Sequence, residues 1–247
     1  MNPRDDSVEP IRNHDRSRRN AATHSHAAPI VRDIQLVPLK CLPEMQRTIF
    51  RFPIFNAVQS KCFHTAYKSD DNLVVAAPTG SGKTVIMELG ILRTLDDLRS
   101  GRAKAVYQAP TKSLCNERYR DWQSKFSIFD IQCAELTGDS DGATIYSVAK
   151  ASIIITTPEK WDSITRKWKD HARLMDMVRL FLVDEVHILR DTRGATLEAI
   201  VSRMKSVGKQ HPLHCSQRHD PKLQRYCILV DPESSRTTST RTPGSLR

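Results

Sequence analysis

The sequence predicts an α/β domain built on a mostly parallel sheet, and three observations carry that prediction. Short β-rich runs alternate with helical stretches from about residue 50 to 207. One run, VRLFLVDEV at 178–186, is nearly all apolar until its acidic end, as suits a central strand covered on both faces. The first run, NLVVAAP at 72–78, ends in turn residues and leads directly into a helix.

The elements follow in order. After NLVVAAP, residues 83–98 carry Ile86, Leu89, Gly90, Leu95 and Leu98 as a rough helical stripe. KAVYQAP (104–110) is the next strand and KSLCNERYRDWQSKF (112–126) the next helix. IQCAEL (131–136) and ASIIITTP (151–158) read as strands, and VRLFLVDEV follows them. TLEAIVSRMKSVG (196–208) closes the series as a helix ending on glycine. No internal repeat is visible.

Either side of this block the character changes. Residues 1–28 are polar and charged, and an arm without fixed structure is expected to reach about residue 40, ahead of a domain over 48–208. RSRR at 16–19 reads as part of a solvated tail, with a nuclear-import patch as the alternative. Beyond Gly208 only CILV is apolar, so 209–247 is expected to be a disordered tail in which nothing continues the alternation. His211, His214, Cys215 and His219 have the donor types for zinc but match no zinc-module spacing.

Bulk composition narrows the class. The chain has 247 residues, 39% hydrophobic and 27% charged, which is ordinary globular usage and suits one large domain or two small ones. With 38 Lys and Arg against 28 Asp and Glu, the formal charge of +10 favours a polyanionic partner, nucleic acid above all. No apolar run is long enough to span a membrane, and the N-terminus has no secretory h-region. The six cysteines are widely spaced without a CxxC pair, as for reduced thiols inside a cell, in nucleus or cytoplasm.

Two motifs carry chemistry. AAPTGSGKT at 76–84 sits between a strand and a helix, the context a phosphate-binding loop needs. Gly80 and Gly82 can take the backbone angles that leave room for phosphate. Lys83 would reach the β- and γ-phosphates, and the Thr84 hydroxyl would hold Mg²⁺. About a hundred residues on, FLVDEVH (181–187) places Asp184 and Glu185 at the end of an apolar strand. There Asp184 would hold the metal and Glu185 would orient and deprotonate an attacking water. Two solvated loop acids are the bland alternative, weakened by a strand that aims them out of the sheet's carboxyl edge.

These residues resemble the superfamily-two DExH-box helicases, whose loop reads AxxGxGKT. Ala77, where the general pattern has glycine, is therefore a family mark. The resemblance covers roughly 48–208 and implies a RecA-like P-loop NTPase fold, ATP and Mg²⁺, and nucleic acid as partner. It implies that Ala77, Pro78, Thr79, Gly80, Ser81 and Gly82 surround the phosphates, and that Gln59 in FNAVQSKCF (55–63) reads adenine. It implies strand contacts from Pro110, Thr111 and Lys112 in APTKSLCNER, Thr137 and Gly138 in LTGD, and Thr157, Pro158 and Glu159 in TTPEKWDSITR. His187 of the DEVH box would link the nucleotide site to the rest of the motor. TTPEKWDSITRKW, FLVDEVHIL and RGATLEAIVSRMK look closest to the meiotic crossover helicases of the Mer class. That likeness implies single-stranded or branched DNA, the nucleus and meiotic recombination, with an RNA helicase of the same branch as runner-up.

The family also implies a second RecA-like domain with arginine fingers, and a strand ending in Ser-Ala-Thr just after Gly208. Neither is found, so the expectation is a fragment holding only the first motor domain, with little unwinding of its own and a spliced or mis-joined tail. A non-catalytic nucleic-acid-binding module is the competing reading. A GTPase or small-molecule kinase fits poorly, because no NKxD-like segment is present.

Overall fold

The computed structural model describes residues 30–31, 33–138, 148–184, 192–210 and 225–230. Its centre is a six-stranded, all-parallel sheet in the order β3-β8-β7-β4-β6-β5. The strands are β3 (Leu73–Ala76), β4 (Lys104–Gln108), β5 (Cys133–Leu136), β6 (Ile153–Thr156), β7 (Val178–Val183) and β8 (Arg225–Val230). The described helices are α1 (Glu44–Arg47), α2 (Ala57–Phe63), α3 (Lys83–Arg93), α4 (Leu95–Arg99), α5 (Lys112–Phe126), α6 (Pro158–Arg166), α7 (Ala172–Met177) and α8 (Thr192–Gln210).

Five of the six strands fall inside the runs expected from sequence, and α5 matches its expected span. The expected 83–98 helix is broken at Thr94, whose hydroxyl donates to the carbonyls of Gly90 and Ile91, both at 3.1 Å. The last helix starts four residues earlier than expected and runs two beyond Gly208.

Two expectations are corrected. Residues 30–40, assigned to the arm, contain the antiparallel pair β1 (Ile30–Val31) and β2 (Ile34–Gln35), then a 3-10 turn at Leu39–Cys41. Asp33 takes a left-handed φ of 63°, which lets the two short strands fold back on each other. Leu39 N–H then donates to Pro53 O, and Phe55 N–H to Val37 O, each at 2.9 Å, fastening this strap to the segment before α2. The second correction concerns the tail. RYCILV, at 225–230, is not outside the sheet but lies between β3 and β7, with Cys227 opposite both Leu73 and Leu182. A gap there would leave unpaired backbone in the middle of the sheet, and a short apolar run removes it.

The middle of the sheet, β7 with β4 and β6, is buried on both faces because the side chains of β7 alternate. Leu180 and Leu182 join Tyr107, Ile153 and Ile155 under α3 and α5. Phe181 and Val183 join Val106 and Ile154 under α6 and α8, with Trp161, Leu197, Ile200 and Met204. Buried polar contacts lock the layers together. Glu88 of α3, 1% exposed, accepts from Trp122 Nε1 at 3.1 Å and Lys125 Nζ at 2.8 Å on α5. Asp162 of α6 accepts from Arg166 at 2.7 Å and from Arg203 of α8. No described helix is long and apolar enough to cross a membrane.

Candidate nucleotide and nucleic-acid site

A parallel sheet sends the loops after its strands to one edge, and every described motif residue except Gln59 leaves a strand there. β3 delivers Ala77–Gly82, β4 delivers Pro110–Lys112, β5 delivers Thr137–Gly138, β6 delivers Thr157–Glu159 and β7 delivers Asp184.

The loop after β3 turns because Gly80 and Gly82 take φ of 79° and 78°, a region that side chains disfavour. Gly82 is also tight: a Cβ there would lie 2.3 Å from Gln59 Nε2, whereas nothing lies within 4 Å of one on Gly80. Ser81 N–H donates to Pro78 O at 3.2 Å. Lys83 opens α3, is buried, and donates from Nζ to Ala77 O at 2.5 Å; Thr84 follows in the first turn.

Two observations fit this loop to phosphate. The N-terminus of α3 has no side-chain cap, so its first amides are not satisfied by a capping side chain. The Ser81 hydroxyl is buried with no hydrogen-bond partner among the described residues. Donors without acceptors around a glycine turn suit an anion.

Gln59 is built into the same loop. Asn56 caps α2, accepting from Gln59 N–H at 2.9 Å, while Gln59 Oε1 accepts from Asn56 N–H at 3.0 Å. Gln59 Nε2 donates to Gly82 O at 3.2 Å and Asn56 Nδ2 to Ser81 O at 2.9 Å. These bonds use one N–H and one lone pair of the Gln59 amide, and each amide atom has a second. An adenine edge could engage those while the first pair holds the loop.

Asp184 stands one residue past β7, where its backbone N–H donates to Gln108 O at 2.9 Å and extends the pairing with β4. Tyr107 Oη donates to Asp184 Oδ2 at 2.8 Å. A carboxylate and the Thr84 hydroxyl are hard oxygen donors of the kind Mg²⁺ takes. Glu185 and His187 lie outside the described residues.

The expected strand contacts divide by exposure. Thr111, Lys112 and Glu159 are exposed, Thr137 and Gly138 half-buried, and Pro110, Thr157 and Pro158 buried. Thr111 caps α5, its hydroxyl accepting from Leu114 N–H at 3.3 Å. Thr137 Oγ1 donates to Glu135 Oε1 at 2.8 Å. Gly138, with φ of 85°, sits against Lys112: a Cβ on it would lie 3.1 Å from Lys112 Nζ. The loops after β4 and β5 therefore meet, with an exposed lysine between them. Pro158 starts α6 at its first position, so the buried residues of that loop shape it and the exposed ones face outward.

A profile of the DEAD/DEAH box helicases matches residues 56–223, from the α2 cap through the loop and the strand-end aspartate. The chain belongs to the DEAD/DEAH box helicase family. This helicase domain is 52% identical over 176 residues to the probable ATP-dependent DNA helicase HFM1 of Xenopus tropicalis, covering 70% of the chain and 13% of that protein. It is 45% identical over 168 residues to the ATP-dependent DNA helicase MER3 of Saccharomyces cerevisiae, covering 67% and 14%. The chain thus spans about an eighth of the length of these relatives. Among solved structures, the DUF1998 helicase MrfA bound to DNA and AMPPNP superposes with a TM-score of 0.64 at 22% identity, over 79% of this chain and 27% of that one. Mss116p bound to ssRNA and AMP-PNP gives 0.62 at 21%, over 83% and 47%. At these identities the likeness establishes the RecA-like helicase fold.

Sequence reasoning overlooked two participants in this helicase site. Asn56 was visible as the Asn-x-x-Gln pattern of a capping box. Tyr107 had no local signal, since only the pairing of β4 with β7 brings it to Asp184.

Proposed function

We propose that this domain is the ATP-binding half of an ATP-dependent DNA helicase, hydrolysing ATP to drive movement along a strand. The observation that carries the reading is the convergence of the glycine loop, the Asp184 strand end and three strand-contact loops on one sheet edge. On this reading Ala77–Gly82 cradle the phosphates, Lys83 contacts the β- and γ-phosphates, and Gln59 reads adenine with its second N–H and lone pair. Thr84 and Asp184 would hold Mg²⁺, which when bound neutralises charge developing on the phosphates. Glu185 orients and deprotonates the attacking water, and His187 relays the state of the site to the rest of the motor. Thr111, Lys112, Thr137, Gly138 and Glu159 line the path of a nucleic-acid backbone, with Pro110, Thr157 and Pro158 shaping it. Such contacts position a strand without reading its sequence.

Single-stranded or branched DNA is the proposed strand, and RNA the second choice. The DNA helicases HFM1 and MER3 are 52% and 45% identical, while the human U5 small nuclear ribonucleoprotein 200 kDa helicase is 42% identical over 161 residues. A nuclear, meiotic role is proposed on the Mer-class likeness. Unwinding is proposed for a whole motor with a second RecA-like domain facing this one.

The test is ATP turnover by the purified chain with and without single-stranded DNA, in wild type and Glu185→Gln. Turnover stimulated by DNA and abolished by the substitution supports the motor reading. Salt-sensitive DNA binding without turnover in either protein would support the non-catalytic binding module instead.

A further inference from the structure

Tyr107 lies on β4 beside β7, and its side chain is almost wholly buried. Its hydroxyl reaches Asp184 Oδ2 at 2.8 Å, so Asp184 is tied to β4 twice, by this bond and by its own amide to Gln108 O. The ring cannot drift. Trp122 meets it edge-on with centroids 5.0 Å apart, and the Arg118 guanidinium carbon lies 5.9 Å from its centroid and 5.6 Å from that of Trp122. Phenylalanine would fill the same space, so packing does not account for the hydroxyl. A buried hydroxyl is costly unless bonded, and the acceptor here is the strand-end carboxylate.

We infer that Tyr107 is a positioning residue for Asp184, fixing the carboxylate in the orientation in which it meets Mg²⁺. The inference rests on the proposed metal-holding role of Asp184. The bond from Tyr107 to Oδ2 restrains the rotation that would otherwise scatter the carboxylate. Groups of this kind, which hold a metal ligand without touching the metal, fix its geometry and raise metal affinity.

The test uses the full chain as wild type, Tyr107→Phe, Asp184→Asn and the double variant. For each, the affinity of a fluorescent ADP analogue is measured in Mg²⁺ and in EDTA, with the thermal midpoint alongside. Tyr107→Phe is expected to keep the EDTA affinity and to lose roughly 10-fold of the gain that Mg²⁺ confers, the low end for such positioning groups. It should add nothing once Asp184 is already asparagine. An unchanged Mg²⁺-dependent gain in Tyr107→Phe, with Asp184→Asn reducing it, overturns the inference alone. A full gain in Asp184→Asn overturns the metal-holding reading and the inference together. Equal losses from Tyr107→Phe in both backgrounds, or a matching loss in EDTA, also overturn it, since the effect would then not pass through Asp184.

Discussion

Gly80 and Gly82 have nearly the same backbone angle and very different surroundings, so alanine at each separates two costs that usually occur together. A left-handed conformation costs a residue with a Cβ about 1–2 kcal/mol, and with φ of 79° and 78° both substitutions incur it alike. At Gly80 nothing lies within 4 Å of the new methyl, so that cost is the whole effect. At Gly82 the methyl would lie 2.3 Å from Gln59 Nε2, the far end of a side chain that can swing away. Swinging costs its bond to Gly82 O and the return bond to Asn56 N–H, each worth about 1 kcal/mol. Gly82→Ala should therefore cost about 2 kcal/mol more than Gly80→Ala. Urea unfolding of the two variants and wild type reads this as a difference in midpoint at unchanged slope. Equal losses would refute the claim that Gln59 is clamped to the loop.

Three further outcomes are expected. Lys112→Ala should weaken single-stranded DNA binding and flatten the log-affinity against log-salt slope by about 0.7, one phosphate contact, as read by anisotropy from low to high salt; an unchanged slope would remove Lys112 from the interface. Asp162→Ala strands Arg203 beside Thr165 and should cost about 1.5–3 kcal/mol in unfolding free energy, the range for hydrogen bonds to a charged group; a loss below half of that would make the α6–α8 tie incidental. Glu88 has its pKa raised by burial, partly opposed by Lys125. Its folded form holds the proton more tightly than the unfolded chain does, so it favours folding below its unfolded pKa and loses that advantage as pH rises through its folded pKa. Wild type should accordingly lose stability relative to Glu88→Gln as pH rises from about 4.5, and then level off; a pH-independent difference would contradict the burial argument.

The parts of the fold that were legible are those where one run of residues decides the matter. VRLFLV is apolar apart from Arg179 and is β7; AAPTGSGKT needs a strand before it and a helix after it, and has both. The missed parts depend on partners distant in sequence. CILV is too short to announce a strand, and it becomes β8 because β3 and β7 leave a place between them. The 30–35 hairpin rests on a single left-handed aspartate and a few apolar residues, which composition averaged into the polar arm.

The candidate site divides the same way. The phosphate loop was legible because its glycines and lysine act through their own backbone and immediate neighbours. The Tyr107–Asp184 bond was not, because strand pairing creates it across 77 residues of chain. Burial explains what the cysteines do not contribute. It pushes the thiols of Cys115 and Cys133 up to about 12, so neither supplies a thiolate near neutral pH.

The central claim is that the loop at 76–84 binds the phosphates of ATP. Its most direct measurement is equilibrium titration of the full chain with a fluorescent ATP analogue, in wild type and Lys83→Ala. The account predicts saturable binding that falls by about 10-fold or more in the variant, since a charge-assisted bond is worth about 1.5–3 kcal/mol. Equal affinity in the two proteins, or no binding by wild type, would contradict it.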